Sequence, residues 1–205
     1  MNHANPVSSA LDEETARAEV YGLLAALYYA PPAPALLAQL RLAVTEAPVA
    51  GGFLEGPWQD LVGAARAQSD TELADEYDAL FGGIGKPEVM LFGSYYLSGF
   101  LNEKPLAQLR SDLAALGLSR NEAMSDTEDH IAYLCEVMRY LIAGEDVAVA
   151  NLTQQHKFFS THLQPWANTL CDTLARHPKA KFYAALATFT QAFLAVEVQG
   201  FDLLG

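Results

Sequence analysis

The stretch that decides the fold runs from Asp70 to His130. It begins with the helical run Asp75-Glu76-Tyr77-Asp78-Ala79-Leu80-Phe81, which ends at the glycine-rich break Gly82-Gly83-Ile84-Gly85-Lys86-Pro87. The aromatic segment Phe92-Gly93-Ser94-Tyr95-Tyr96-Leu97 follows, and the stretch closes on Ser125-Asp126-Thr127-Glu128-Asp129-His130. Apolar side chains, flexible backbone and clustered acids in one stretch favour a surface that grips a peptide over one that breaks a bond.

Helical periodicity recurs on both sides of this stretch, and period-2 alternation of any length is absent. The sequence therefore predicts an all-α fold of roughly eight to eleven helices in a single globular domain over residues 1–205. A hinge is expected near residues 117–126. Capping-box spacing, in which Ser or Thr precedes Glu by three residues, predicts helix starts at Ser69 and at Ser125.

The composition limits the kinds of partner. The chain of 205 residues is 51% hydrophobic and carries a formal net charge of -13. This charge argues against nucleic acid and anionic membrane surfaces, and it suits a basic ligand such as an arginine-bearing peptide. A plainer interpretation is that the acidic surface keeps the protein soluble. No apolar run reaches the ~20 residues of a membrane span, so a cytoplasmic protein without stable membrane insertion is expected.

The polar residues allow more than one chemistry. Pro87 follows Lys86 where a phosphate loop needs Ser or Thr, which argues against nucleotide binding there. Asp126, Asp129 and His130 could hold a divalent metal or transfer a proton, and a metal-dependent hydrolase is the alternative function. The same acids could simply cap a helix. A third hypothesis is an all-α subunit that only scaffolds an assembly.

Three blocks of the sequence resemble the TorD/DmsD family of cytoplasmic chaperones that mature molybdenum oxidoreductases. The first is Glu76 to Gly83 with Pro87 and Ser94-Tyr95-Tyr96-Leu97 downstream, which is similar to the family's Tyr-x-x-Leu-Phe-x-Gly block. The second, Asp126 to His130, is similar to its Glu-Pro-x-Asp-His signature, with Asp126 and Thr127 as departures. The third runs from Phe158 to Trp166, including His162-Leu163-Gln164-Pro165-Trp166, and is followed by Lys181-Phe182-Tyr183 and the last helix.

The resemblance implies a chaperone of the TorD-like all-helical type, without catalytic activity or a cofactor of its own. Its members bind the twin-arginine signal peptide of a molybdoenzyme precursor and delay export until the molybdenum cofactor is inserted. The client would be a formate dehydrogenase or a reductase of the DMSO or TMAO type. The protein would be a monomer or a domain-swapped homodimer. The implied peptide-binding residues are Tyr77, Leu80, Phe81, Gly83, Pro87, Ser94, Tyr96, Asp126, Asp129 and His130.

Overall fold

Helices make up the regular structure of the chain, as the periodicity predicts. The structure, a computed structural model, describes residues 6–46, 54–82, 86–121 and 124–203. Within these ranges no β-strand forms, and a single isolated antiparallel bridge joins Phe92 to His130. The prediction of an all-α fold is confirmed. In chain order the helices are α1 (Pro6–Tyr29), α2 (Pro34–Leu42), α3 (Glu55–Ala67), α4 (Asp70–Phe81), α5 (Gly93–Ser98), α6 (Lys104–Ala115), α7 (Ile131–Ala143), α8 (Leu152–Phe158), a π-helical turn (Phe159–Leu163), α9 (Ala167–Ala175) and α10 (Phe182–Asp202).

The start of α4 is the capping box that the sequence predicts. The Ser69 hydroxyl accepts the backbone N–H of Glu72, and the Glu72 carboxylate accepts the backbone N–H of Ser69 at 2.8 Å. The helix ends at Gly82, although not through a left-handed residue, because the φ of Gly82 is -96°. Glycine is needed there for space, since a Cβ at this position would lie 2.9 Å from the carbonyl oxygen of Asp78.

The capping box predicted at Ser125 does not form. The N-cap of α7 is His130, whose ring nitrogen Nδ1 accepts the backbone N–H of Ala132. The His130 N–H binds the Thr127 carbonyl at 3.1 Å and closes a turn before the helix. That turn leaves Ser125 outside the helix, where its hydroxyl binds Asp126. Ser125 and Glu128 have the spacing of a capping box, but α7 starts only after His130.

The chain divides into two compact units, each made of two separate segments. The first unit comprises residues 1–29 and 92–165. Helix α1 packs most extensively on α7, α8 also packs on α7, and α5 packs on α6. Its core is largely aliphatic and aromatic, and includes Tyr21, Leu24, Leu27, Tyr28, Leu134, Met138, Leu141, Phe158 and Phe159.

The second unit comprises residues 30–91 and 166–205. Helix α10 packs on α9, α3 and α4, while α2 packs on α3. Its core includes Leu37, Leu61, Val62, Leu73, Leu80, Trp166, Leu170, Phe182, Tyr183, Leu186 and Phe189. The segment 117–126, of which residues 122 and 123 are not described, belongs to the first unit. The single domain and the hinge stay predictions.

None of the helices in the described ranges is long and apolar enough to cross a membrane.

Candidate functional site

Nine of the ten predicted peptide-binding residues lie in the described ranges and are divided between the two units; Gly83 lies outside the described residues. Tyr77, Leu80, Phe81 and Pro87 belong to the second unit. Ser94, Tyr96, Asp126, Asp129 and His130 belong to the first unit. The two groups are therefore described separately.

In the second unit, aromatic rings cluster at the end of α4. Tyr77 and Phe81 lie edge to face with ring centroids 5.0 Å apart, and each also packs against Tyr183 of α10. Tyr77 and Phe81 are half-buried, so part of each ring is accessible, whereas Leu80 between them is fully buried. Half-buried Pro87 lies in the following loop. The accessible apolar surface of this group comes from the rings and not from Leu80.

Glu76 is an important residue of α4 that the sequence motifs did not single out. It is buried, and its carboxylate accepts the backbone N–H groups of Lys181, Phe182 and Tyr183, at 2.8, 3.3 and 2.9 Å. These are N–H groups at the start of α10, which lack partners within their own helix. Glu76 therefore caps α10 from a distant part of the chain. Its place on the apolar stripe with Leu73 and Leu80 is the sequence signal that could have revealed it.

In the first unit, Asp129 joins the start of α5 to the segment before α7. Its carbonyl oxygen accepts the N–H of Gly93 at 2.9 Å, and carboxylate oxygen Oδ2 accepts the N–H of Ser94 at 2.8 Å. The other carboxylate oxygen accepts the Thr127 hydroxyl at 2.6 Å. Both oxygens of this buried acid thus accept hydrogen bonds from the chain itself. Asp129 therefore caps α5 from a distant part of the same unit.

His130 is buried among aromatic rings. Its ring centroid lies 5.1 Å from that of Phe92, 5.6 Å from that of Tyr133 and 6.5 Å from that of Tyr29. Burial lowers the pKa of His130 to about 4, against the opposing influence of Asp126 and Asp129. The imidazole is therefore neutral near pH 7. Because Nδ1 accepts the N–H of Ala132, the ring proton resides on Nε2, which can act only as a donor.

The other two acids of this segment are Asp126 and Glu128. Asp126 is half-buried and accepts the Ser125 hydroxyl at 3.0 Å. The Glu128 carboxylate forms an ion pair with Arg110 of α6, at 2.8 Å from the guanidinium nitrogen Nη2. Burial alone would raise the pKa of the Glu128 carboxyl, but the hydrogen bond and charge of Arg110, a backbone hydrogen bond and the charge of Arg120 together lower it. Glu128 is thus a second acid that the predicted site omitted.

The remaining predicted residues of the first unit lie on α5. Ser94 is buried, and its hydroxyl has no hydrogen-bond partner within the described ranges. Tyr96 is half-buried and packs edge to face on Tyr95, with ring centroids 5.3 Å apart. The bridge between Phe92 and His130 places this helix beside the Asp126–His130 segment.

The geometry of a metal centre is not found in the part of the chain that the structure describes. No group of three or more His, Cys, Asp or Glu side chains there could hold a metal ion. Asp126, Asp129 and His130 all lie in that part, so the metal site of the alternative hypothesis is not formed by these three residues. Asp129 and His130 instead cap α5 and α7.

The sequence is similar to known proteins over much of its length. A family model described as nitrate reductase delta subunit matches residues 51–172, which is more than half of the chain and includes the segment from Asp126 to His130. The chain is 27% identical to the chaperone protein TorD of Aliivibrio fischeri over 142 residues, covering 65% of this chain and 66% of that protein.

Further relatives agree with this match. The chaperone protein TorD of Vibrio cholerae serotype O1 is 27% identical over 146 residues, covering 68% of this chain and 66% of the relative. The protein of the same name from Aliivibrio salmonicida is 25% identical, with 65% and 66% covered. The matched region thus spans slightly less than two thirds of the length of these relatives. The extent of the family match shows that the chain belongs to the nitrate reductase delta subunit family, the TorD family.

Proposed function

We propose that this protein is a cytoplasmic maturation chaperone that binds the twin-arginine signal peptide of a molybdoenzyme precursor. It holds the precursor until the molybdenum cofactor has been inserted, and it catalyses no reaction itself. Membership of the TorD family supports the chaperone role, as do relatives that are named chaperones. A formate dehydrogenase or a reductase of the DMSO or TMAO type is the proposed client.

The proposal rests mainly on one observation: acidic side chains and aromatic rings lie next to each other at the Asp126–His130 segment. Asp126 and Glu128 supply carboxylates, which form strong bidentate hydrogen bonds with guanidinium groups. Tyr29, 45% exposed, packs against both His130 and Tyr133 and offers an apolar surface next to these acids. A peptide with arginines followed by an apolar segment is complementary to this arrangement.

The residues of the first unit have different proposed roles. Asp126 pairs with a peptide arginine, while Asp129 and Ser94 hold α5 in position beside it. His130, neutral and with its proton on Nε2, donates a hydrogen bond to a peptide carbonyl. Tyr96 adds aromatic surface on α5.

In the second unit, the accessible parts of Tyr77 and Phe81 are proposed to bind the apolar part of the peptide. Pro87 and Gly83 border this surface in sequence, and Leu80 supports it from the core.

The experiment compares three forms of one candidate precursor, co-expressed with the chaperone. The forms carry the native leader, the leader with both arginines changed to glutamine, or no leader. We expect co-purification with the native leader, a weaker complex with the glutamine leader, and loss of the complex without a leader. A complex that forms equally well with all three would mean that the protein scaffolds an assembly and does not read the signal peptide.

A further inference from the structure

We infer that Arg110 occupies, on Glu128, the position that an arginine of the bound peptide takes, so that binding exchanges an internal guanidinium for the peptide's own. The inference rests on the proposed function and adds a residue that competes with the ligand. In the absence of peptide, Arg110 keeps Glu128 paired. When the peptide binds, Arg110 turns to solvent and Glu128 pairs with the peptide arginine.

The geometry of the Arg110–Glu128 ion pair is not the strongest that a guanidinium can form with a carboxylate. Arg110 Nε lies 3.0 Å and Nη2 lies 2.8 Å from Glu128, and both nitrogens contact the same carboxylate oxygen, Oε2. The strongest arginine–carboxylate pairs instead form two parallel hydrogen bonds, one to each oxygen. Arg110 therefore satisfies the charge of Glu128 without making the two-oxygen pair that an incoming arginine can form.

Arg110 and Glu128 differ in how well water can solvate each charge when the ion pair opens. The Arg110 side chain is 51% exposed, so water can solvate its charge when the pair opens. The Glu128 side chain is 11% exposed and would be left as a poorly solvated charge. Opening the pair leaves Glu128 with the electrostatic attraction of Arg120 but no ion-pair partner, unless another cation replaces Arg110. This asymmetry favours exchange with a guanidinium and disfavours simple opening.

A second acid beside Glu128 suits a peptide that carries two arginines. Asp126 lies two residues before Glu128 and is half-buried, and its carboxylate accepts a hydrogen bond from the neutral Ser125 hydroxyl. Asp129 also attracts Arg110 electrostatically, but its own oxygens accept hydrogen bonds from Ser94 and Thr127. Asp126 and Glu128 are thus the two acids available to two peptide guanidiniums. A peptide without arginine leaves the Arg110–Glu128 pair closed.

Affinity measurements on matched variants test the competition. Arg110→Gln removes the internal guanidinium. The matched control is Arg139→Gln, because the Arg139 side chain is 53% exposed and pairs with the exposed Glu136 on α7. We expect Arg110→Gln to tighten binding of a twin-arginine peptide by about tenfold or more, the effect of one charge-assisted hydrogen bond. Binding of the same peptide with glutamines in place of arginines is expected to stay unchanged. Arg139→Gln is expected to behave as the wild type with both peptides.

Other results in this comparison would overturn the inference. Weaker or unchanged binding of the arginine peptide by Arg110→Gln would show that Arg110 does not compete with the ligand. An equal gain with the glutamine peptide would show that the gain does not depend on arginine. Arg110→Lys keeps the charge and is expected to bind with an affinity between those of the wild type and Arg110→Gln. A thermal melt of each variant verifies that it is folded.

A second measurement tests, without any signal peptide, whether another guanidinium can replace Arg110 on Glu128. The carboxyl pKa of Glu128 is followed by NMR in the wild type and in Arg110→Gln, with and without L-argininamide. We expect the substitution to raise the pKa of Glu128 and argininamide to lower it again, while alaninamide has no such effect. If argininamide leaves the pKa of the variant unchanged, the exchange does not occur. If argininamide lowers it but no leader peptide binds any variant, the exchange stands and the proposed function fails.

Discussion

At the scale of single residues, the acids and the histidine between Asp126 and His130 have separate partners. Asp129 and His130 accept backbone N–H groups, Glu128 pairs with Arg110, and Asp126 is bound by a neighbouring hydroxyl. Substitutions within this one short segment therefore have different effects. Some change the free energy of unfolding, and others change only the affinity for a ligand.

The buried, neutral His130 should make stability depend on pH. Its pKa is about 4 in the folded protein and close to 6.5 in an unfolded chain, so between these values the unfolded state binds the additional proton. The free energy of unfolding is therefore expected to fall as pH decreases from about 6.5 to about 4. Each pKa unit corresponds to about 1.4 kcal/mol, which gives a loss on the order of 3 kcal/mol from this residue.

His130→Asn is the variant that isolates this contribution. The asparagine oxygen can accept the N–H of Ala132 as a helix cap, and it does not titrate. Denaturation of the variant at several pH values should show a flatter decline between pH 6.5 and 4. Burial also lowers the pKa of His162, so a residual slope of the same sign is expected. An unchanged profile would mean that His130 has nearly the same pKa in the folded and the unfolded protein.

Leu80 and Phe81 are neighbours with different expected effects. Leu80 is fully buried, so Leu80→Ala should lower the free energy of unfolding by about 2–5 kcal/mol. Half-buried Phe81 is expected to lose less stability when it becomes Ser, and to lose peptide affinity in the folded fraction. Urea denaturation and peptide titration of both variants separate the two effects. Full affinity in folded Phe81→Ser would contradict the proposed contact.

At the scale of secondary-structure elements, two helices are capped by acids that are distant in the sequence. Glu76 of α4 binds the first N–H groups of α10, and Asp129 binds the N–H of Ser94 in α5. Neither helix has a side-chain cap from its own N-cap residue, Lys181 or Phe92. Their starting points therefore depend on tertiary contacts within their units.

Removing the charge of Glu76 should be costly. Glu76→Gln replaces a buried acceptor of several N–H groups by a neutral amide whose nitrogen cannot accept. We expect the free energy of unfolding to fall by about 2 kcal/mol, because hydrogen bonds to charged groups contribute more than neutral ones. Asp75→Asn, an exposed change on the same helix, is the control and should cost less than about 0.5 kcal/mol. Similar losses in the two variants would argue against the capping role.

Asp129→Asn tests whether this acid caps α5 or pairs with a peptide arginine. As a cap it should lose about 1 kcal/mol of stability, and any loss of peptide affinity should be equal for arginine and glutamine leaders. As an arginine partner it should lose 1–3 kcal/mol of affinity for the arginine leader and less for the glutamine leader. We expect the first result, since both carboxylate oxygens accept hydrogen bonds from the chain. Isothermal titration of the four combinations distinguishes the two.

Local sequence rules predicted the parts of the fold that local physics determines. The all-α class follows from periodicity, and the start of α4 follows from a capping box between Ser69 and Glu72. The start of α7 was placed wrongly, because a histidine can cap a helix and Ser125 only has the right spacing. The apolar stripe of α4 could have indicated that Glu76 is buried, but the partners of Glu76, Glu128 and Arg110 could not be predicted. Each of these residues depends on a partner at least 18 residues away, whose position only the folded chain determines.

At the scale of the whole molecule, the net charge of -13 should speed the encounter with a basic peptide. Salt screens such long-range attraction, because the Debye length shrinks to about 3 Å at 1 M ionic strength. The association rate of a twin-arginine peptide is expected to fall about tenfold or more from low salt to 1 M salt. Stopped-flow fluorescence measures this rate. A peptide with glutamines in place of arginines should show a smaller change, and equal changes would point to a non-electrostatic cause.

The discontinuous first unit has a consequence for synthesis on the ribosome. Helix α1 ends at Tyr29, and its main packing partner α7 begins only at Ile131, about 100 residues later. At about 5–20 residues per second, the ribosome needs roughly 5–20 s to make the intervening chain. During that time the buried face of α1, with Tyr21, Leu24 and Tyr28, lacks its main native packing partner. A protein proposed to bind the signal peptide of an immature client thus exposes an apolar segment of its own while it is being made.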